Sequence, residues 1–136
     1  MQIDRLDHLV LTVQSIDRTL RFYCDVLGFS SHTFGAGRTA LLFGRTKINL
    51  HQWGNEFDPK ARHPTPGSAD LCFITETSLE TVVQELRQGG ITIEEGPIER
   101  TGATGPIRSV YIRDPDHNLI ELSNYLAEPM LRGDGP

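Results

Sequence analysis

The sequence has few of the features that mark membrane, exported or nucleic-acid-binding proteins. No long apolar run occurs, and residues 1–5 contain no hydrophobic signal region, so neither a membrane span nor an export signal is predicted. Basic residues are outnumbered: 13 Lys and Arg stand against 18 Asp and Glu, and the net charge is −5. This balance argues against a surface for DNA or RNA. We therefore expect a cytoplasmic protein that binds neither nucleic acid nor a membrane.

Cysteine is equally scarce. The chain has two cysteines, Cys24 and Cys72, without the spacing of a CxxC motif. This excludes a disulfide-rich scaffold, because such scaffolds need several cysteine pairs. Both cysteines lie in apolar segments. We therefore expect them to be small core residues in a reducing compartment rather than metal ligands or a disulfide.

The sequence does contain an internal repeat. A strand predicted near 6–13 is followed by a helix that Ser15 caps and Gly28 ends. A second strand near 69–75 is followed by a helix that begins with the capping box 77–80 and ends at Gly89–Gly90. Further strands are predicted at about 30–34, 39–43 and 47–52 in the first half, and at 92–95, 109–113 and 118–124 in the second. The order strand-helix-strand-strand-strand thus occurs twice.

The segment between the halves, residues 53–68, is rich in glycine, proline and charge. Two interpretations remain open. It is either a connector packed on the surface or a lid over a cavity, since loops that carry aromatic and cationic residues often contact ligands. The residues that suggest a lid are Trp53, Phe57, Lys60, Arg62 and His63.

Residues 113–122 form a turn followed by a strand that carries one carboxylate. Pro115 fixes its own φ, and Glu121 then lies on a strand face that is otherwise apolar. A carboxylate on an interior strand face must be paired, protonated or bound to a metal. Glu121 therefore marks a candidate site.

Aligning the repeats places polar residues at matched positions. Asp70 corresponds to His8, and Glu121 corresponds to Asn49, with His51 one step further along the same strand face. Each residue alone is more often a hydrogen-bonded core residue or an edge salt-bridge partner. Together they favour a divalent ion held by an imidazole and carboxylates, with open positions left for a substrate.

Three segments of the chain resemble the vicinal oxygen chelate superfamily, which has the glyoxalase and bleomycin-resistance fold. Within it the chain most resembles the subgroup named glyoxalase domain-containing protein 5. The resemblance covers about residues 4–125. The superfamily segments are 6–13, 22–29 and 114–122, and the subgroup segments are 47–51, 58–61, 66–68, 94–97 and 100–107.

The resemblance implies an α+β fold of two βαβββ modules, whose curved mixed sheets surround a metal-binding cavity. It implies one domain over residues 4–125, with module one at 4–53, a linker at 54–67 and module two at 68–125. Residues 126–136 are then expected to form a flexible tail. Members of the superfamily often dimerise so that modules of different chains complete each cavity, so a homodimer is expected.

The resemblance also assigns a ligand set. His8 and Glu121 match metal positions of the superfamily. The third position, usually His or Gln, is Asp70, and the fourth, Glu in glyoxalase I, is Asn49, which is a poor base. We therefore expect His8, Asp70, Glu121 and His51 to be metal ligands, with Glu121 and His51 as catalytic residues. The cofactor is then one divalent ion, and mostly oxygen donors favour Mn, Ni, Fe or Mg, with Zn also open.

The expected function is that of a glyoxalase-like, metal-dependent lyase, isomerase or dioxygenase. Its substrate would be a small molecule with vicinal oxygens, for which a glutathione adduct is one candidate, and the metal would stabilise an enediolate or oxyanion. One alternative is a metal-free drug- or metabolite-binding module of the bleomycin-resistance type. Another is a fosfomycin-type thiol transferase, which needs a cationic pocket. The loop cations available for it are Lys60, Arg62, Arg100 and Arg108.

Overall fold

Two four-stranded mixed sheets, each with one helical segment, make up the fold, which confirms the predicted α+β class with two βαβββ modules. The computed structural model describes residues 1–126, so the tail expected at 126–136 lies outside the described residues beyond Leu126. The chain divides into two units: residues 1–69 with 114–117, and residues 70–113 with those from 118 onwards. No helix of residues 1–126 is long and apolar enough to cross a membrane.

The first unit contains strands β1 to β4. In its sheet the strand order is β1-β4-β3-β2, with β1 and β4 parallel and the other pairs antiparallel. Side chains on one face form the apolar core, because successive residues of a strand point to opposite faces. That face includes Val13, Leu41 and Ile48, all fully buried. The strands are β1 (His8–Val13), β2 (Ser30–Phe34), β3 (Arg38–Phe43) and β4 (Thr46–Gln52).

The helical segment of the first unit begins where the sequence predicts it. Ser15 is the N-cap of α1 (Ile16–Leu20), and its hydroxyl accepts a hydrogen bond of 3.2 Å from the amide of Arg18. The chain then continues as a π-helix over Arg21–Val26, where the sequence predicts a regular helix. The wider turn accompanies the burial of two adjacent aromatic side chains, those of Phe22 and Tyr23.

The second unit contains strands β5 to β8 and helix α2. The strand order is β5-β8-β7-β6, with β5 and β8 parallel. Ser78 caps α2, one residue later than the capping box predicts, and accepts from the amide of Thr81. The apolar stripe of α2 is buried as predicted, with Leu79 1 % exposed. The elements are β5 (Asp70–Ile74), α2 (Leu79–Gln88), β6 (Glu95–Thr101), β7 (Pro106–Arg113) and β8 (Leu119–Tyr125).

One predicted strand is wrong. The strand expected at 92–95 is instead β6, which starts at Glu95 and pairs with β7 through a bulge between Glu95 and Ile98. Gly96 and Pro97 lie inside β6, and the sequence pattern misses this strand because glycine and proline are both rare in the interior of a strand. Gly96 is required because its φ is +100° and its backbone passes directly against the carbonyl of Ser109.

Candidate functional site

A cavity of about 350 Å³ lies on one face of the second sheet. This is the face opposite the buried side chains of Val110 and Ile112 on β7 and of Ile120 and Leu122 on β8. Its walls combine aliphatic and aromatic groups with a few polar side chains, which is typical of small-molecule sites. The lining residues are Cys72, Ile74, Arg100, Thr101, Gly102, Ala103, Ile107, Tyr111, Glu121 and Tyr125.

Glu121 is held in the cavity wall by two buried serines. The hydroxyl of Ser109 donates to Glu121 Oε2 at 2.5 Å, and the hydroxyl of Ser123 lies 2.6 Å from that of Ser109. Ser109 and Ser123 are paired in the β7–β8 register, and both are fully buried. Because hydrogen bonds to a carboxylate are short and strong, this pair fixes the orientation of Glu121.

Tyr111 and Arg100 extend the polar side of the cavity. Tyr111 is the β7 partner of Glu121 in the sheet register, and its hydroxyl accepts a hydrogen bond of 3.1 Å from Arg100 Nε. The guanidinium of Arg100 also pairs with Glu95 at 3.2 Å. Partial burial and the charge of Glu121 raise the pKa of Tyr111, although Arg100 opposes the shift. The phenol therefore stays protonated at neutral pH.

Cys72 contradicts the expectation that both cysteines are core residues. Its side chain is exposed and lines the cavity, whereas Cys24 is partly buried, and both thiols are free. The physical reason is strand alternation: Cys72 faces the same way as Glu121, its β8 partner, and away from the apolar core. Its Sγ lies 3.4 Å from the hydroxyl of Ser123, and burial raises the pKa of the thiol.

The structure places the expected metal ligands at separate points of each sheet. In the first unit, His8 pairs with Lys47 and His51 pairs with Thr12, so the backbone positions of the two histidines lie four residues apart along the ladder, about 13 Å. His8 is exposed, and its Nδ1 lies 2.8 Å from a carboxylate oxygen of Asp7.

In the second unit, two of the expected donors come closer together. Asp70 pairs with Leu119, so it is a diagonal neighbour of Glu121 on the adjoining strand and on the same sheet face. Asp70 is exposed at the start of β5 and does not line the cavity. The pKa of Arg113 is raised first by its hydrogen bonds to Glu94, and the charge of Asp70 adds to that shift.

Within residues 1–126, no three His, Cys, Asp or Glu side chains lie close enough together to hold an ion. Glu121 Oε2 is already bound by a serine hydroxyl. A divalent ion ordinarily has at least three protein donors in a catalytic site, and the set His8, Asp70, Glu121 and His51 stays a prediction.

His51 and Asn49 lie in the first unit, on the sheet face opposite the apolar core. His51 is 8 % exposed, and its ring packs edge-on against Phe57 at 5.6 Å. Burial and the nearby charge of Arg38 lower the pKa of His51. His51 belongs to the first unit and Glu121 to the second, so the two predicted catalytic residues come from different units.

Sequence reasoning missed most of the cavity. The sequence assigns no role to Ser109 or Tyr111, predicts a core position for Cys72 and indicates for Arg100 only a loop cation. A usable signal was present in β7, where period-two alternation puts Ser109 and Tyr111 on one face and the buried Val110 and Ile112 on the other.

The chain belongs to the Glyoxalase/Bleomycin resistance protein/Dioxygenase superfamily, whose sequence model matches residues 5–122. It is 66% identical over 126 residues to Virulence protein STM3117 of Salmonella typhimurium, covering 93% of this chain and 88% of that protein. The crystal structure of the same Salmonella protein superposes with a TM-score of 0.91, covering 93% and 100% of the two chains.

A second relative is the glyoxalase domain-containing protein RDO1 of Mycosarcoma maydis, 54% identical over 92% of this chain and 70% of that protein. More distant structures share the fold. They include a lactoylglutathione lyase from Agrobacterium tumefaciens and the antibiotic-binding protein TnmS3 from a Streptomyces species. Both have a TM-score of 0.70 and 22% identity. The match to the lyase covers 91% of this chain and 96% of the lyase chain. The match to TnmS3 covers 93% of this chain and 99% of the TnmS3 chain. The resemblance to the superfamily is thereby confirmed, while the finer one to glyoxalase domain-containing protein 5 stays a prediction.

Proposed function

We propose that this protein binds a small molecule with vicinal oxygens in the second-unit cavity and moves a proton on it with Glu121. The observation that carries the proposal is a carboxylate fixed by buried serines in the wall of a cavity of about 350 Å³. Cavities of roughly 300–1,000 Å³ hold metabolite-sized ligands. A carboxylate on the wall of such a cavity is a suitable proton acceptor.

The proposed chemistry is an isomerisation. Glu121 takes a proton from the carbon next to a carbonyl group, and negative charge develops on the carbonyl oxygen. Arg100 and the protonated Tyr111 line the same cavity and supply donors for that oxygen. The hydroxyl proton of the adjacent carbon passes to that oxygen, and the carboxyl group of Glu121 returns its own proton to the former carbonyl carbon, so the carbonyl and hydroxyl groups exchange places. General acid–base transfer of this kind contributes about 10²–10⁴-fold to a rate.

A binding protein without turnover is the second candidate. The observation in its favour is the lining of the cavity, which is mostly aliphatic and aromatic with few polar side chains. The cavity alone suffices for binding a drug or metabolite. In this case the cavity binds its ligand equally well whether or not Glu121 can accept a proton.

The two candidates are separated by hydrogen–deuterium exchange. The protein is incubated in D₂O with dihydroxyacetone, or with the hemithioacetal of methylglyoxal and glutathione, and the C–H signals are followed by proton NMR. Exchange or isomerisation above the buffer rate supports the enzyme. If a probe binds but neither probe shows exchange above the buffer rate, the result supports the binding protein.

Three finer expectations belong to the proposal. We expect a homodimer, which sedimentation analysis tests, and a glutathione adduct as one candidate substrate, which the hemithioacetal arm tests. The metal ligands expected at His8, Asp70, Glu121 and His51 remain a prediction that ion analysis decides. No step of the proposed isomerisation depends on an ion.

A further inference from the structure

The first unit contains a second, much smaller pocket with its own polar character. Its accessible volume is about 10 Å³, enough for a single water molecule or hydroxyl group. It lies on the sheet face opposite the apolar core, at the ends of β3 and β4. The lining residues are Phe34, Arg38, Thr39, Asn49, Leu50, His51 and Phe57.

Asn49 presents a buried acceptor to this pocket that has no donor. Its side-chain Oδ1 is fully buried, and no hydrogen bond reaches it from the described part of the chain. Leaving a buried polar atom unpaired costs about 1–3 kcal/mol in folded proteins, so such atoms normally have a water or ligand partner. A hydroxyl group that enters the pocket would satisfy it.

Arg38 supplies a cation at the mouth of the same pocket. Its guanidinium carbon lies 4.4 Å from the centroid of the Phe57 ring, and the side chain forms no ion pair within residues 1–126. Strands β1 to β4 contain no Asp or Glu at all. The nearby Glu56 is engaged, because it accepts from the amide of Gly54 and pairs with Lys60.

From these contacts we infer that the first unit binds a small anion that carries a hydroxyl group next to its charge. The hydroxyl enters the pocket and donates to Asn49 Oδ1, because the volume admits nothing larger. The anionic group stays at the mouth beside the exposed guanidinium of Arg38, which is held over Phe57. Hydroxycarboxylates and hydrogen phosphate share this chemistry. The inference is argued from contacts of the first unit alone and does not depend on the function proposed for Glu121.

The inference is tested by NMR titration of the full-length, ¹⁵N-labelled protein with three probes. Glycolate carries both groups, acetate only the charge, and ethylene glycol only hydroxyls. We expect glycolate to shift the side-chain amide signals of Asn49 saturably, with affinity on the order of millimolar for so small a ligand. Acetate and ethylene glycol should bind more weakly. Inorganic phosphate should compete with glycolate, because hydrogen phosphate also carries a hydroxyl group next to its charge.

Two variants and a matched control sharpen the test. Arg38→Gln should weaken glycolate binding about tenfold or more, because a charge-assisted hydrogen bond is lost. Arg45→Gln removes an equally exposed cation from the turn between β3 and β4 and should leave binding unchanged. Asn49→Leu should abolish the preference for glycolate over acetate.

Several results would overturn the inference. These are the lack of any saturable shift with glycolate, equal affinity for glycolate and either partial probe, and equal losses in Arg38→Gln and Arg45→Gln. Amide spectra of the variants show directly that each is folded. Arg38 is exposed at the start of β3, so its replacement leaves the core intact.

Discussion

The hydroxyl of Ser109 on β7 lies 2.5 Å from Oε2 of Glu121 on β8, and it donates a hydrogen bond to that carboxylate from a fully buried position. A serine on the neighbouring strand thus determines how the carboxylate faces the cavity. The contact follows from the sheet register, which pairs Glu121 with Tyr111 and puts Ser109 diagonally beside it. Orientation of a proton-transferring group by a buried partner is a common property of active sites.

Tyr23→Phe should destabilise the protein by about 1.5–3 kcal/mol, the range for a hydrogen bond to a charged group. The Tyr23 hydroxyl donates to Asp114 Oδ2 at 2.7 Å, and Tyr23 is completely buried. Urea unfolding measures the free-energy difference. The matched control is Tyr125→Phe, which removes only a 3.3 Å contact with the exposed amide of Thr104 and should cost less. A loss no larger than that of the control would contradict the role of the Tyr23–Asp114 bond.

Asp116 should make stability depend on pH in the acid range. Burial raises the pKa of Asp116 above its ordinary 3.8, although the amide of Gln14 and the guanidinium of Arg18 oppose the shift. A raised pKa means that the folded state ionises less readily than the unfolded state. The stabilising contribution of Asp116 is therefore fully present below pH 3.8 and is lost as the pH rises through the folded-state pKa.

The Asp116→Asn variant isolates this contribution. The free energy of unfolding of the wild type, minus that of the variant, should fall as the pH rises from the acid side towards neutrality. Asp25→Asn, which removes the same charge from an exposed position, corrects for net charge. A difference that grows with pH would show that ionised Asp116 is better stabilised in the folded state than in the unfolded one.

The cysteines show why the cavity was harder to predict than the fold. Helix caps such as Ser15 and apolar strand patterns act locally, so they can be predicted from a few neighbouring residues. The direction in which Cys72 faces depends on the register of β5 against β8, which pairs it with Glu121. Likewise, the separation of His8 from His51 follows from the register of β1 against β4, and not from the type of either residue.

Cys72 should react slowly with thiol reagents at neutral pH and faster as the pH rises. Cys72 is open to reagents that enter the cavity, but its thiol is partly shielded from water. This partial burial and the charge of Glu121 raise the pKa of the thiol. A Cys24→Ser background leaves Cys72 as the single thiol, and mass spectrometry follows alkylation by iodoacetamide. A ligand that occupies the cavity should slow the reaction. Equal rates with and without a ligand shown to bind would place that ligand elsewhere.

Metal content tests the ligand set expected from the sequence. If His8, Asp70, Glu121 and His51 bind an ion as the sequence predicts, protein purified without chelators should retain close to one divalent ion per chain. Elemental analysis by mass spectrometry gives the ratio. The ion should be lost in both His8→Ala and Glu121→Ala, and well under one ion per chain in the wild type would contradict the predicted ligand set.

The central claim is that Glu121 moves a proton on a molecule bound in the second-unit cavity. Its most direct test compares wild type with Glu121→Gln, which keeps the size of the side chain and an acceptor for the hydroxyl of Ser109. Protection of Cys72 from alkylation measures binding of the hemithioacetal or dihydroxyacetone, and proton NMR in D₂O measures exchange of their C–H groups. The account predicts that the variant retains protection while its exchange rate falls by about 10²-fold or more. Exchange in Glu121→Gln at the wild-type rate would contradict it.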